Sequence, residues 1–123
     1  MNRIDKKFNE LKSRKRKAFI AYITAGDPDL SRTKVLALEL EAAGVAILEL
    51  GIPFSDPIAD GPTIQAASAR ALAGKTTLKK IFAMVRNLRA ATDMPLVFMT
   101  YYNPILKYGI KEFLSSCRKC GVD

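Results

Sequence analysis

Two carboxylates stand where this sequence could do acid–base chemistry. Glu49 breaks an otherwise apolar run, VAILELG (45–51), two positions before its end. Partial desolvation disfavours the charged form of a carboxyl group, which suits it to exchange protons near neutrality. A structural glutamate paired with Lys or Arg, or one at an exposed edge, would also account for it. Asp60 follows eleven residues later, directly before Gly61-Pro62. It reads equally well as the N-cap of a helix starting at Pro62. Capping alone leaves the intervening IPFSDPIA unexplained. Pro53 and Pro57 restrict the backbone there, while Ser55 and Asp56 make the segment polar. Such a rigid polar loop can hold a second carboxylate at a fixed distance from the first. The chain has no histidine, so proton transfer falls to carboxylates, lysines or tyrosines.

Three short apolar runs must position these groups: AFIAYIT (18–24), VAILELG (45–51) and LVFMTY (96–101). Continuous apolar character suits strands buried on both faces of a parallel sheet. Helical patterns lie between them. LSRTKVLALELEAAG has Asp29 or Ser31 to cap its start, Val35, Leu36, Leu38, Leu40 and Ala42 as its apolar face, and Gly44 as its stop. A second helix runs from Pro62 towards Ala73, where Gly74 ends it. A third starts near Thr76 or Thr77, with Ile81, Met84, Val85 and Leu88 on one face. The last is GIKEFLSSCRKCG, with Ile110, Phe113, Leu114 and Cys117 at helical spacing and Gly121 to close it. A basic N-terminal helix carries Ile4, Phe8 and Leu11. Strands alternating with helices predict an α/β fold with right-handed crossovers and a parallel sheet, its chemistry at the carboxyl ends of the strands. The segments following the three strands, with Thr24–Asp29, Glu49–Pro62 and Thr100–Pro104, would then share one face. Gly121-Val122-Asp123 reads as the approach to a fourth strand.

Length and composition set outer bounds. The 123 residues suffice for one domain, and no apolar run approaches the ~20 residues of a membrane-spanning helix. The basic N-terminus has no secretory pattern, so a cytoplasmic location is expected, without membrane contact. Of the net charge of +8, residues 1–17 contribute +6, and the remaining domain is close to neutral. A solvated basic face is the default for that segment, and no nucleic-acid partner is expected. Cys117 and Cys120 lack the second pair or histidine of a zinc site, so packing of at least one sulfur is expected, and no metal. Ala73-Gly74-Lys75-Thr76-Thr77 resembles the end of a phosphate-binding loop. It follows a helix instead of a strand, and reads as one helix stop followed by the next helix cap.

The string from Glu49 to Gln65, ELGIPFSDPIADGPTIQ, resembles the signature of the tryptophan synthase alpha chain family. Phe19–Pro28 and Met99–Ile105 agree in the same order. The resemblance covers all 123 residues but only about the first half of the family's eight-stranded β/α (TIM) barrel, a partial barrel of about three units stopping before the fourth strand. It implies a lyase of tryptophan biosynthesis, making a retro-aldol cleavage of indole-3-glycerol phosphate to indole and glyceraldehyde 3-phosphate. By resemblance Glu49 is the general acid/base, and Asp60 accepts the indole N–H. Tyr22, Thr100 and Tyr102 map to the wall of the indole pocket. The loop around Asp56 and Pro57 resembles the segment that faces the family's partner, a beta chain that carries pyridoxal phosphate in a heterotetramer. The same resemblance implies no cofactor on the alpha chain itself. The family's phosphate-binding loops and mobile lid have no counterpart in residues 1–123. Two further readings stand beside this one. One is another sugar-phosphate aldolase or isomerase on the same barrel, against which the Glu49–Gln65 string argues. The other is an inactive half-barrel that self-associates or needs a complementary half.

Overall fold

The computed structural model describes residues 1–123 throughout. Its elements run α1 (Arg3–Ser13), β1 (Ile20–Thr24), α2 (Leu30–Ala42), β2 (Ile47–Gly51), α3 (Pro62–Ala73), α4 (Leu78–Arg89), β3 (Leu96–Met99), α5 (Tyr102–Tyr108) and α6 (Ile110–Cys120). The strands form one parallel sheet in the order β1-β2-β3. Glu49 pairs in register with Tyr22 on one side and Val97 on the other. This is a partial β/α barrel of about three units, as the alternation of elements predicts. None of its helices is long and apolar enough to cross a membrane.

Successive strand residues point to opposite faces, and here the two faces have different jobs. Ala21, Leu48, Leu50 and Leu96 point towards the helices and join the core with Ile81, Phe82, Val85 and Leu88 of α4. Phe82 is the hub of that layer. Its ring lies 5.8 Å from Phe98, 5.5 Å from Tyr108 and 5.7 Å from Phe113. The opposite face carries Tyr22, Glu49, Val97 and Met99, all incompletely covered. Polar chemistry is therefore confined to the sheet face turned away from the helices.

Local signals set most boundaries. Asp29 caps α2 through its side chain, accepting from the Arg32 amide, and Thr77 does the same for α4 through Lys80. Gly74 ends α3, and Gly121 ends α6 in the left-handed region with φ 88°. The segment Ala73–Thr77 is thus a helix stop followed by a helix cap. Cys120 lies in the core and Cys117 packs against it.

The structure departs from expectation in three places. The helix α5 forms where no element is predicted, and Pro104 fits in its first turn, where a missing amide costs nothing. The buried face of α2 is Thr33 and Ala37, flanked by half-buried Leu38 and Leu40, whereas Val35 is 56 % exposed and Leu36 is also exposed. Apolar residues at 35, 36, 37 and 38 leave no clear period, and the face follows i, i+4 from Thr33. In α6 only Phe113 and Cys117 of the expected face turn inward, and Ile110 and Leu114 are exposed.

A buried charge cluster closes the end of the sheet opposite the polar loops. The Asp123 side chain is 4 % exposed and pairs with Arg89 at 2.8 Å and Arg3 at 3.0 Å. It also accepts the Leu96 amide at 3.0 Å, while the Asp123 amide donates to the Leu96 carbonyl at 2.9 Å. Arg89 donates further to the carbonyls of Gly121 and Met94. One carboxylate thereby ties α1, α4 and the chain after α6 to the edge of β3.

Candidate active site

The three segments leaving β1, β2 and β3 do gather at one end of the sheet. The first is fixed to α3, where Arg70 donates two hydrogen bonds of 2.8 Å to the Asp27 carboxylate. Hydrogen bonding to Arg70 holds the Asp27 carboxyl below its ordinary range. Gly26 adopts φ +89° and lies so close to Thr76 that a Cβ there would collide with it. Its amide donates to Thr33 Oγ1 at 3.0 Å.

The second segment carries Asp60, and its role as helix cap gives way to another. Gly61 is the N-cap of α3, with no side-chain capping bond, and Pro62 opens the helix. The Asp60 carboxylate instead accepts a 2.9 Å hydrogen bond from the Tyr101 phenol, which reaches across from the end of β3. The same phenol oxygen accepts the Ala59 amide at 2.9 Å. The Phe54 ring packs on Tyr101 with centroids 5.3 Å apart. Desolvation chiefly, with Asp60 adding to it, raises the Tyr101 pKa, so the phenol keeps its proton and donates at neutral pH.

Asp60 and Tyr101 line a cavity of about 280 Å³ together with Tyr22, Ser68, Met99 and Thr100. Of the residues singled out from sequence, Asp60, Tyr22 and Thr100 therefore meet at one hollow. Tyr102 is outside it, 60 % exposed as the first residue of α5. Glu49 does not line the hollow either. It is half-buried on the polar face beside Tyr22. Tyr22 lies over Gly51, two residues further along β2, where any side chain would run into its hydroxyl. Asp56 is exposed on the loop, bonded to Ser55, and Pro57 beside it is half-buried. Tyr101 is the functional candidate missed in the sequence. Tyr101 ends the third run and Tyr102 follows it directly, and only the fold decides which reaches Asp60.

In chemical terms, the hollow offers a carboxylate with one oxygen bound to a phenol, between tyrosine rings, while Glu49 is a second carboxylate half-buried on the sheet face that carries Tyr22. That suits recognition of an N–H or O–H donor on a flat ligand, with proton exchange beside it.

Comparison with known proteins finds relatives along the chain. The family model described as Tryptophan synthase alpha chain matches residues 8–123. The alpha chain of Caldanaerobacter subterraneus subsp. tengcongensis is 53 % identical over all 123 residues, which cover 47 % of its length. That of Thermoanaerobacter sp. (strain X514) is 54 % identical over the same span. Among solved structures, tryptophan synthase subunit alpha from Legionella pneumophila str. Paris superposes with TM-score 0.97 at 44 % identity, covering the whole chain and 47 % of its own. In the tryptophan synthase complex from Pyrococcus furiosus, a chain 46 % identical superposes with TM-score 0.82, covering 86 % of this chain and 44 % of that one. The chain thus spans about half the length of the relatives it matches.

Proposed function

This chain belongs to the tryptophan synthase alpha chain family, and from that membership we propose that it supplies the acid–base half of a lyase site that a complementary half-barrel completes. The observation that carries the reading is Asp60, held by Tyr101 in an aromatic-walled hollow with Glu49 on the adjoining sheet face. The substrate proposed is indole-3-glycerol phosphate. Glu49 delivers a proton to indole C3, which turns the ring into an electron acceptor. The Glu49 carboxylate so formed takes the proton that leaves the hydroxyl on the side-chain carbon bonded to C3. That carbon becomes the aldehyde as its C–C bond breaks and the bond electrons flow into the ring. Indole and glyceraldehyde 3-phosphate result, with atoms and charges balanced. Asp60 accepts the indole N–H and stabilises the positive charge that grows on the ring nitrogen. Tyr22 and Thr100 cover the ring, and Tyr102, exposed as the first residue of α5, lies outside the hollow. Neither step calls for a cofactor on this chain. Pyridoxal phosphate belongs to the beta chain proposed as partner, towards which the loop at Asp56 and Pro57 turns. Ile58, 91 % exposed on that loop, supports a docking role for it.

The 123 residues alone fit the second reading, a half-barrel without turnover. The phosphate loops implied by the family lie in its other half, and binding energy from a remote phosphate is what positions the reacting carbon. The test is indole release from indole-3-glycerol phosphate by the 123-residue chain, alone and mixed with the C-terminal half of a full-length relative. Release at background level alone, and above it when mixed, is the expected outcome. Turnover well above background by the chain alone would overturn the inactive half-barrel, and no gain on mixing would overturn the shared site.

A further inference from the structure

We propose that Tyr101 is a positioning residue whose phenol fixes the Asp60 carboxylate and leaves one of its oxygens for a ligand's N–H donor. The inference rests on the reading of Asp60 as an acceptor for an indole-type ring.

The loop between β2 and α3, residues 53–61, has little else to hold it. Its own hydrogen bonds are short-range: Ile58 to Asp56, Asp60 to Pro57, and Ser55 to Asp56. Gln65 of α3 bonds the Asp60 carbonyl at 2.7 Å, but that bond lies within the same stretch of chain. Only the Tyr101 phenol links the loop to another strand by hydrogen bonds, and it does so twice. It accepts the Ala59 amide and donates to Asp60 Oδ2, both at 2.9 Å. The two bonds use the phenol as acceptor and donor at once, so the oxygen cannot turn to serve one without losing the other. Asp60 Oδ1 receives no protein donor, and the carboxylate borders the hollow. The phenol thus takes one oxygen and fixes the plane of the carboxylate. The other oxygen stays available to an N–H that enters beside Tyr22 and Thr100. A ring of the same shape without that N–H would leave the charged oxygen desolvated and unpaired, which is the origin of the preference.

Tyr101→Phe isolates the hydroxyl, since the ring contact with Phe54 can persist. In the isotope-labelled 123-residue chain, the Ala59 amide should exchange with solvent about fivefold faster or more. The Asp60 carboxyl resonance should move, while amides of β2 and α4 keep their protection. Indole and 1-methylindole, titrated by NMR, then serve as probes. The unaltered chain should favour indole by about tenfold, and Tyr101→Phe should lose most of that preference. Asp60→Ala is the second variant. Ala59 keeps its acceptor there, so its exchange stays slow while the Tyr101 side-chain resonances shift. Unchanged Ala59 exchange and an unmoved Asp60 resonance in Tyr101→Phe would overturn the positioning role. Equal binding of the two indoles by the unaltered chain would instead overturn the functional reading, and the Ala59 and Asp60 signals would still decide the role of Tyr101.

Discussion

Single side chains at the polar end of the sheet make claims that titration can test. Asp27 is held below its ordinary value of 3.8, first by its hydrogen bonds to Arg70 and then by the charge itself. A carboxyl whose folded pKa is depressed stabilises the fold fully above its unfolded pKa, and that contribution fades as pH falls through the folded value. Asp27→Asn should therefore lower the urea midpoint near neutral pH, and that effect should fade as the pH is taken below the ordinary carboxylate range. A midpoint difference that persists in acid would mean the pair does not act through charge. Arg70 is largely exposed, so added salt should shrink the difference as well. The cysteines make the opposite kind of claim. Burial pushes the Cys117 thiol up to about 11, and Cys120, deeper in the core, is also raised by burial. Since the thiolate is the reactive form, alkylation of the folded chain near neutral pH should run about a hundredfold slower than in urea. Labelling at equal rates would show that α6 opens readily, contrary to the packing of both sulfurs.

Elements rather than single residues decide whether those groups stay in place, and α4 is the one on which the others depend. Phe82 joins β3, α5 and α6 through its contacts with Phe98, Tyr108 and Phe113. Phe82→Ala should cost about 3–5 kcal/mol, a large part of the ~5–15 kcal/mol of a typical domain. Chemical denaturation followed by circular dichroism measures this, and a loss below about 1 kcal/mol would place the hub elsewhere. The face of α4 was legible because Ile81, Met84, Val85 and Leu88 repeat with an unambiguous helical period among charged neighbours. The face of α2 was not, because four successive apolar residues obscure any period. The helix α5 was hidden by Asn103-Pro104, which has the composition of a turn, although proline is at home in a first turn. Among the candidate residues, Glu49 stood out because a charge in an apolar strand is anomalous, and Asp60 because its loop is rigid and polar. What Asp60 binds was not visible. Its partner lies 41 residues away, and local sequence favoured a cap that Gly61 takes instead.

At the scale of residues 1–123 taken together, two strand edges and one sheet face remain to account for. β1 and β3 each have a single neighbour in the sheet, and Ile20 and Met99 stand exposed on the face turned away from the helices. Unpaired backbone groups along an edge template pairing with another chain, and adjoining apolar side chains add a hydrophobic reward. The Asp123 cluster covers only one end of β3, through Leu96, so the rest of that edge stays open. A chain built this way should associate with itself as concentration rises, β3 of one copy meeting β1 of the next, unless a complementary half-barrel takes the place of the second copy. Sedimentation velocity on the 123-residue chain should show dimers or larger species at tens of micromolar. Met99→Lys places a charge on the open face, where Met99 is 60 % exposed, and should move the distribution towards monomer without unfolding the core. Adding the C-terminal half of a relative should also remove the self-associated species, because both partners compete for the same two edges. A clean monomer at every concentration, with the core folded, would show that the edges are blocked by the chain itself. The site would then have to be completed by some route other than strand pairing.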